Sequence, residues 1–491
     1  MTYRDEQPFT SSDARFGEPP YGGSPNRGRP WPTMTPASFE FLAHRLRVRV
    51  LRVLWILVFL ALVFVPLALA PSAAGSRRPW SEGGIWVELC LTTGLLGLST
   101  LAATIVLPSR VKSITMAFGI EGVLRSHRWL AVATTVIVGA HLTFILIDNP
   151  RSILLISPGP TGVPRARAGF LAFAAMILLC VLAFRRRKMG TRYDVWRWVH
   201  AMMGIGALAG SYLHVIWLNH LMRDAAERTV FLVVLVGVGA VMINRWIRRP
   251  LVSWRQAYVI EQVRIENDIV STLVLVPAHR RQPRLSFRPG QFAWIRLDSP
   301  FGPLQSNPFS IASGIDNPDA LEFTIRNVGD FTGSIKNLEP GRKVFVDGPY
   351  GSFSDDHIGA PSLLLIGAGV GVTPMMSILR SHAFRGDLRR HILLFAVRNP
   401  SELMFRYELD LLGTELDLDV IEVVSKPPPS WRGVSGRVDA DLLESVLEEF
   451  GPGLPHVFIC GPPQMMEDTT RTLVELGVPP QNVHTEQFAM V

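Results

Sequence analysis

Two apolar segments decide the fold of this chain: HRWLAVATTVIVGAH at residues 127–141 and HAMMGIGALAGSYLH at residues 200–214. Each segment begins and ends with a histidine, and the two histidines stand fourteen residues apart. On an α-helix this spacing corresponds to about 1400° of rotation and a rise of about 21 Å, so each pair lies on nearly one helix face. Two such helices side by side bring the four imidazoles into two facing pairs at two depths.

The candidate metal ligands are therefore His127, His141, His200 and His214. Neutral imidazole is a common axial ligand of haem iron, and two facing pairs suit two bis-histidine haems stacked across a bilayer. A single membrane histidine can also serve only to hydrogen-bond a neighbouring helix. Ionisable groups at membrane depth are rare and usually functional, however, so the repeated spacing favours the haem hypothesis.

Six apolar stretches are long enough to cross a membrane as helices. They lie at about residues 50–71, 85–107, 128–148, 168–184, 196–218 and 229–247. Residues 1–45 are rich in proline, glycine, serine and charge, which predicts a disordered tail. The first apolar run begins too far along the chain for a cleavable signal peptide.

The basic residues predict the orientation of these helices. Eighteen lysines and arginines flank one set of helix ends, whereas seven lie in the opposite loops. Because positive flanks stay in the cytoplasm, both termini and the whole second half are expected there, in a multi-pass protein of the cell membrane. The net charge of +8 follows from this topology and from attraction to anionic lipid, so no nucleic acid partner is expected.

Only three cysteines occur in the chain: Cys90, Cys180 and Cys460. They are too few and too scattered for a disulfide framework, a structural zinc site or a four-cysteine iron–sulfur cluster. Cys90 and Cys180 fall inside apolar runs and are expected to be packing residues.

Beyond Pro250 the sequence changes to short alternating strands. Three β-type runs predict a small antiparallel barrel: Ala257–Val263, Ile269–Val276 and Phe292–Leu297. After Pro361, strand and helix patterns alternate. Short apolar strands suited to a parallel sheet lie at Leu363–Ile366, Ile392–Val397, Val420–Val424 and Val457–Cys460.

A glycine-rich turn follows the first of these parallel strands. It reads Gly367-Ala-Gly-Val-Gly-Val-Thr-Pro374 and precedes a predicted helix over Met375–Arg380. Glycines at a strand-to-helix turn allow close approach of the backbone, and the helix N-terminus favours phosphate. The candidate nucleotide-binding residues are Gly367, Gly369, Gly371, Thr373 and Pro374.

Several motifs of the second half resemble those of one known family. They are Asn307-Pro-Phe-Ser310 followed by Ile-Ala-Ser313, Arg326-Asn-Val-Gly-Asp-Phe-Thr-Gly333, Val346-Asp-Gly-Pro-Tyr-Gly351, Cys460-Gly-Pro462 and Glu486-Gln-Phe488. In this order and spacing they resemble the ferredoxin–NADP reductase-like flavoproteins, in the membrane form of ferric reductases and NADPH oxidases. The resemblance covers roughly residues 85–491.

The resemblance implies that the first motif binds FAD through Asn307, Pro308, Phe309 and Ser310. Phe309 would pack on the isoalloxazine ring, and the Ser310 hydroxyl would approach flavin N5. Asn307 is neutral, whereas the family usually carries histidine or arginine at this position. The second motif would contact the diphosphate and adenosine side of FAD, with a guanidinium suited to bidentate phosphate contact, through Arg326, Phe331, Thr332 and Gly333.

The resemblance also implies a nicotinamide pocket lined by Cys460, Gly461 and Pro462. The C-terminal aromatic Phe488 would shield the flavin face and yield when nicotinamide binds. The implied catalytic residues are Ser310, Cys460 and Phe488.

NADPH is favoured over NADH as the electron donor. Arg398, after the second parallel strand, and Arg406, on the next helix, are candidates for holding a 2′-phosphate. No acidic residue occupies the position directly after that strand, where NAD enzymes often carry one for the ribose. The two arginines can equally form a solvated helix face beside Glu402 and Glu408.

These patterns predict a multidomain membrane protein. The expected parts are a cytoplasmic tail at 1–45, a six-helix transmembrane haem-binding bundle at 46–250, an antiparallel β-barrel FAD domain at 251–356 and an α/β parallel-sheet NAD(P) domain at 357–491. The expected cofactors are FAD and two b-type haems.

The expected activity is transfer of electrons from cytoplasmic NAD(P)H through FAD and the haems to an acceptor on the outer side. A ferric or other metal chelate is favoured as acceptor, and reduction of O2 to superoxide is the close alternative. Two other classes stay open: a haem-free flavin diaphorase with a membrane anchor, and a transporter or channel with a regulatory nucleotide domain.

Overall fold

The computed structural model describes residues 36–68, 80–157, 162–188, 193–218, 225–301, 306–356, 358–451 and 453–486. The first helix begins at Pro36, so the last ten residues assigned to the tail at 1–45 are helical. Residues 1–35 of that tail lie outside the described residues, as does Phe488.

The first half of the chain is helical. Its helices are α1 (Pro36–Ala68), α2 (Trp80–Val106), α3 (Lys112–Phe118), α4 (Ile120–Asp148), α5 (Pro164–Arg185), α6 (Tyr193–Leu218) and α7 (Ala225–Ile243). All but the short α3 are long and apolar enough to cross a membrane, which makes six candidate spans among the described residues. The number of spans predicted from hydropathy is thus confirmed.

Helix α2 lies at the centre of the bundle, with Leu95, Leu98 and Ala102 buried. It packs against α4, and α5 packs against α6. The outward faces remain apolar: Trp129 and Phe184 are 70% and 71% exposed. Apolar surface of this extent on a helical bundle is typical of contact with lipid.

The last membrane helix continues without a break towards the second half. A π-helical turn at Asn244–Arg248 joins α7 to α8 (Arg249–Arg255), and strand β1 begins three residues later at Tyr258. The orientation of this helix therefore fixes where the chain enters the β-domain.

The β-domain contains six antiparallel strands. They are β1 (Tyr258–Asn267), β2 (Val270–Pro277), β3 (Phe292–Leu297), β4 (Asn307–Ser310), β5 (Leu321–Arg326) and β6 (Lys343–Tyr350), in the order β4-β3-β6-β1-β2-β5. Just beyond the edge strand β4, the Ala312 N–H donates to the carbonyl of Glu322 in the other edge strand, β5, at 2.7 Å, so the sheet curls towards closure. Leu275, Ile295 and Phe323 fill its interior.

The C-terminal domain contains six parallel strands with helices between them. The strands are β7 (Ser362–Ala368), β8 (Arg390–Val397), β9 (Leu418–Val424), β10 (Val434–Ser435), β11 (His456–Cys460) and β12 (Val483–Glu486), in the order β10-β9-β8-β7-β11-β12. The larger connecting helices are α9 (Thr373–Arg385), α10 (Arg406–Glu415), α11 (Ala440–Glu448) and α12 (Pro463–Glu475). The chain runs outward from β7 in one direction and returns to its other side with β11. Ligands bind at such switch points, at the carboxyl ends of the strands.

Candidate functional site

The four membrane histidines form two facing pairs. His127 on α4 faces His200 on α6, with ring centres 6.3 Å apart, and His141 faces His214 at 6.4 Å. The rings within each pair are steeply inclined, at 71° and 82°. Since each helix carries one member of each pair, the two pairs lie at two depths in the bundle.

Three of these imidazoles are oriented by backbone carbonyls. The Nδ1 atoms of His127, His141 and His214 lie 2.8, 2.8 and 2.7 Å from the carbonyl oxygens of Thr104, Cys90 and Arg165. A carbonyl can only accept, so each Nδ1 carries the proton and Nε2 keeps its lone pair. This is the tautomer and the outer hydrogen bond that metal-bound histidines usually show.

The geometry of the pairs fits an ion between their rings. Two metal–nitrogen bonds of about 2 Å on opposite sides of one ion, plus roughly 1 Å from each nitrogen to its ring centre, give a separation of about 6 Å. The observed values of 6.3 and 6.4 Å agree with this sum. A Cβ added at Gly204, one turn from His200, would meet no atom within 4 Å, so there is open space beside that ligand.

Two glycines that sequence reasoning missed shape the surroundings of His141 and His214. A Cβ on Gly94 of α2 would lie 2.9 Å from the Nδ1 of His141, and one on Gly169 of α5 would lie 2.9 Å from the Nδ1 of His214. Both glycines therefore let an imidazole pack flush against a neighbouring helix. No spacing in the sequence connects either glycine with its histidine, so only the structure identifies them.

Substituting Gly94 with valine is expected to push His141 away from His214. Because contacts that orient a metal ligand typically account for 10- to 100-fold in affinity, a haem held by His141 and His214 should bind roughly that much more weakly. Haem titration of the purified protein measures this effect. Gly239→Ala on α7, where a Cβ meets nothing within 4 Å, is the control and should titrate like wild type.

The first flavin motif forms β4, which pairs with β3 at an edge of the curled sheet. The hydroxyl of Ser310 is buried and has no hydrogen-bond partner among the described residues. The ring of Phe309 stacks on Phe331 from the second motif, with centres 6.2 Å apart and planes 12° apart. An unsatisfied buried hydroxyl beside an aromatic pair is suited to a planar ligand with a hydrogen-bonding edge. Asn307 and Pro308 are half-buried at the start of this strand.

The second motif lies next to the first. Arg326 ends β5 with an exposed side chain and makes no ion pair within the described part of the chain. The Thr332 hydroxyl accepts from the backbone N–H groups of Val328 and Gly329, both at 2.9 Å, and so shapes the following turn. A Cβ added at Gly333 would meet nothing within 4 Å, which leaves space for a ligand.

The glycine-rich turn joins β7 to α9. Gly369 has a φ of +54°, a conformation that favours glycine. A Cβ on Gly367 would lie 2.8 Å from the Val372 backbone, and one on Gly371 would lie 2.2 Å from the Cys460 carbonyl oxygen. The Thr373 hydroxyl donates to the Val370 carbonyl at 2.7 Å, and Pro374 follows in the first turn of α9.

The end of β11 lies directly against this turn. Cys460 is fully buried, and burial followed by the nearby Glu486 charge holds the pKa of its thiol well above the usual range. Gly461 packs against Ala368, where a Cβ would approach the Ala368 Cβ to 2.9 Å, and Pro462 precedes α12. The two motifs thus meet at the carboxyl ends of adjacent strands β7 and β11.

Glu486, opposite Cys460 in the sheet, was named in the sequence only as part of the C-terminal motif. Burial, and then the charge of Glu121 at the start of α4, raise its pKa from 4.5 to about 8. A charge on the membrane bundle therefore helps to raise the pKa of a carboxyl group in the nucleotide domain.

This pKa predicts a pH dependence of stability. The folded protein binds a proton at Glu486 up to about pH 8, whereas the unfolded chain releases it near pH 4.5. The stabilisation of the protonated form is therefore complete below 4.5 and lost as the pH rises to about 8. Melting curves of wild type and Glu486→Gln should diverge across this window, with wild type losing relative stability. Parallel curves would contradict the assignment.

The two candidate 2′-phosphate ligands differ in their surroundings. Arg398 is exposed after β8 and makes no ion pair among the residues that the structure describes. Arg406 forms a bidentate pair with Glu422 of β9 at 2.6 and 2.5 Å. Its guanidinium is therefore already engaged within the protein.

A junction joins the membrane bundle to the β-domain, and sequence reasoning did not foresee it. Asp347 of β6 pairs with Arg110, Arg245 and Arg249 at 3.7, 3.8 and 3.5 Å. The Lys112 ammonium donates to the Gly348 carbonyl at 2.9 Å. These contacts tie β6 to the segment that follows α2 and to the end of the last membrane helix.

Comparison with known proteins matches three families in succession. A ferric reductase like transmembrane component matches residues 93–211, an FAD-binding domain matches 260–354, and an oxidoreductase NAD-binding domain matches 365–471. Three of the four histidines (His127, His141 and His200), the flavin motifs and the glycine-rich turn lie within these three ranges, and His214 lies three residues beyond the first range.

Several reductases match about two fifths of the chain. Ferredoxin–NADP reductase B of Sorangium cellulosum is 33% identical over 210 residues, 41% of this chain and 85% of that protein. A stachydrine N-demethylase reductase subunit of Rhizobium meliloti is 31% identical over 41% of this chain, which spans a little over half (58%) of that relative. The solved ferredoxin reductase of carbazole 1,9a-dioxygenase is 24% identical with a TM-score of 0.42, over 48% of this chain and 69% of that one.

The order of the three matched families is that of a membrane-bound NAD(P)H-dependent oxidoreductase with FAD- and NAD-binding domains. The chain belongs to the ferric reductase/NADPH oxidase-like flavocytochrome family, whose soluble half is of the ferredoxin–NADP reductase type.

Proposed function

We propose that this protein passes electrons from cytoplasmic NAD(P)H through FAD and two b-type haems to an acceptor on the opposite side of the membrane. The observation that carries the proposal is that the histidines form two facing pairs at two depths of one bundle. The ring centres within the two pairs are 6.3 and 6.4 Å apart. The proposed ligands are His127 with His200 nearer the soluble domains, and His141 with His214 farther from them.

The chain contributes placement to this chemistry. FAD, when bound, accepts a hydride and releases single electrons, which haem iron carries onward. The carbonyls of Thr104, Cys90 and Arg165 hold three imidazoles with Nε2 ready to bind iron. The hydrogen bond from each Nδ1–H to its carbonyl also raises the basicity of Nε2, the nitrogen proposed to bind iron.

At the flavin, each proposed role follows from one property of the side chain: a hydroxyl without a hydrogen-bond partner among the described residues, an apolar ring or an uncharged thiol. The Ser310 hydroxyl is free among the described residues to bond flavin N5, and Phe309 supplies an apolar face. The Cys460 thiol stays protonated and neutral, so with Gly461 and Pro462 it forms an uncharged wall of the nicotinamide pocket. Phe488 is proposed to cover the flavin until nicotinamide displaces it.

The proposed diphosphate contacts involve Arg326, with Thr332 and Gly333 shaping the turn beside it. The proposed nucleotide contacts are at Gly367, Gly369, Gly371, Thr373 and Pro374. The proposed domain bounds are a tail at 1–45 whose last ten residues form the start of α1, a haem domain at 46–250, an FAD domain at 251–356 and an NAD(P) domain at 357–491.

The proposed orientation places the soluble domains and both termini in the cytoplasm. Its support is the excess of basic residues at the ends of the bundle that face the β-domain, including Arg110, Arg197 and Arg245. The proposed partners are the bilayer and a small acceptor, with no nucleic acid.

The acceptor is proposed to be a ferric chelate or another oxidised metal complex. Proteoliposomes that carry the full chain, with NADPH outside on the side of the soluble domains, test this proposal. Ferrous iron formed from a chelate trapped inside supports it. Superoxide in place of ferrous iron would make the protein an NADPH oxidase, and the absence of a haem absorption band would leave a membrane-anchored diaphorase.

NADPH is the proposed donor, and Arg398 is the residue proposed to select it. Replacing Arg398 with glutamine should raise the KM for NADPH about ten-fold or more, since hydrogen bonds to a charged group contribute about 1.5–3 kcal/mol. The KM for NADH should change little. Arg406→Gln is the matched control, because Glu422 already binds that guanidinium. Equal effects of both substitutions on the KM for NADPH would contradict the assignment.

A further inference from the structure

Two buried histidines meet in the nucleotide domain, away from the glycine-rich turn. His382 lies in the last turn of α9, His391 is the second residue of β8, and both are fully buried. The Nδ1 of His382 lies 2.8 Å from the Nε2 of His391. The glycine-rich turn follows the carboxyl end of β7, whereas this contact lies at the amino end of the neighbouring parallel strand β8. The two histidines therefore lie outside the proposed nucleotide site.

A carboxylate completes a group of three potential metal ligands. The Oδ2 of Asp387 lies 3.7 Å from the Nδ1 of His382, and the ligand atoms of Asp387 and both histidines lie within 4.8 Å of one another. Gly386 follows the end of α9 with a φ of +63°, and the Asp387 N–H then donates to the His382 carbonyl at 3.0 Å. The turn after the helix thus holds the carboxylate beside the imidazole.

The spacing of these atoms suits a tetrahedral ion. Bonds of about 2.0–2.1 Å place the ligand atoms of such an ion about 3.3 Å apart. The observed separations of 2.8 and 3.7 Å lie on either side of this value. Two imidazoles and one carboxylate form a ligand set that zinc uses, with water in the fourth position. Asp387 is half-buried beside the exposed Leu388, so water can reach the site from this side.

A second carboxylate and a guanidinium surround the three ligands. The Nε2 of His382 lies 3.0 Å from the Oδ2 of Asp355 and 3.2 Å from the Nη2 of Arg389. The contact with Asp355 is the shorter, and a carboxylate can only accept, so a proton on Nε2 leaves the lone pair of Nδ1 directed at His391. Arg389 also pairs with both Asp355 and Asp387. It balances one of the two carboxylates, and one negative charge is left to attract a cation.

We propose that His382, His391 and Asp387 bind one zinc ion, with Asp355 orienting the His382 ring. A histidine ligand whose second nitrogen donates to a carboxylate is the usual arrangement around protein-bound zinc. The ion replaces the proton that the two imidazoles otherwise share. It joins the end of α9 to the start of β8 and, through Asp355, to the segment between β6 and β7 that connects the two soluble domains. The zinc is structural, so the proposal does not depend on the proposed electron transfer.

Zinc binding by the full-length protein with its cofactors tests the site. After chelator treatment and reloading with zinc, elemental analysis should find one zinc ion per chain. X-ray absorption at the zinc edge should show two imidazoles at about 2.0–2.1 Å. Zinc should also raise the melting temperature of wild type, because an ion that binds only the folded state stabilises it. Wild type that retains no zinc and melts at one temperature with and without it would overturn the proposal.

Asp387→Asn tests the ligand at a half-buried position. Asparagine can still accept from Arg389, so FAD content should stay at the wild-type level. Zinc should bind at least roughly 10- to 100-fold more weakly, since loss of an outer partner of a metal ligand already has this effect. Wild-type zinc affinity in Asp387→Asn would overturn the assignment.

His456→Gln is the matched control. The Nδ1 of His456 in β11 lies 3.1 Å from the Nε2 of His484 in β12, so this pair makes a similar contact between imidazoles. It does not belong to the three-ligand group found among the described residues. The control should bind zinc like wild type. Loss of zinc in His456→Gln would place the ion at this second pair and contradict the proposed ligands.

Discussion

Replacing His141 with leucine is expected to halve the haem content of the protein and to stop electron delivery across the membrane. Leucine fills a similar apolar volume but offers no lone pair, so the pair with His214 loses one of its two ligands. The inner pair, His127 with His200, should keep its haem. Flavin reduction by NADPH should continue, because its residues lie in the soluble domains. Haem quantification and stopped-flow spectra of flavin and haem measure these effects.

The control for this variant lies on the same helix. Val136 is 66% exposed on the outer face of α4, so Val136→Leu should leave both haems and electron transfer unchanged. Retention of both haems by His141→Leu would refute the pairing of His141 with His214. Loss of both haems would show instead that the bundle had not folded.

Replacing Gly371 with alanine is expected to abolish nicotinamide-driven flavin reduction while leaving the haems in place. The new Cβ would lie 2.2 Å from the Cys460 carbonyl oxygen, which is backbone and cannot rotate away. The glycine-rich turn and the end of β11 must then move apart. Since a displacement of about 1 Å in a reacting geometry can lower a rate roughly 100-fold, the effect should be of at least that order.

Gly413→Ala in α10 is the matched control within the same domain. A Cβ there would lie 3.8 Å from its nearest neighbour, the Leu418 carbonyl oxygen, which is ordinary contact. Alanine is also the better helix former, so this variant should be neutral or slightly more stable. A Gly371→Ala protein that still binds NADPH with an unchanged KM would show that the two motifs do not form one pocket.

The sequence predicts the histidine pairs because each of two helices carries one member of both pairs, at the same spacing of fourteen residues. His127 and His141 need only helical geometry to be read as one face. Their carbonyl acceptors are not visible in the same way. Thr104 and Cys90 belong to another helix, and any residue type offers a carbonyl, so side-chain identity carries no signal. The close approach of Gly94 to His141 cannot be read from the sequence either, because it depends on how two helices pack.

The soluble domains show the same contrast. The turn at Gly367–Pro374 was predicted with its context, and the structure extends the following helix to Arg385. The engagement of Arg406 by Glu422 depends on the register between a helix and a strand sixteen residues away, which the sequence does not specify. Asp347 was visible only as part of a turn motif. Its partners come from segments that are more than ninety residues away along the chain.

The unbroken helix from Ala225 to Arg255 has a mechanical consequence. Its 31 residues span about 46 Å at the usual rise per residue, whereas the hydrocarbon layer is about 30 Å thick. Roughly a third of this rod therefore projects beyond the lipid tails and acts as a lever arm. When a thinner bilayer increases the tilt of this helix, the strands that follow it in the chain must move with its end. Acyl-chain length is therefore expected to change the distance between the FAD-binding domain and the membrane helices.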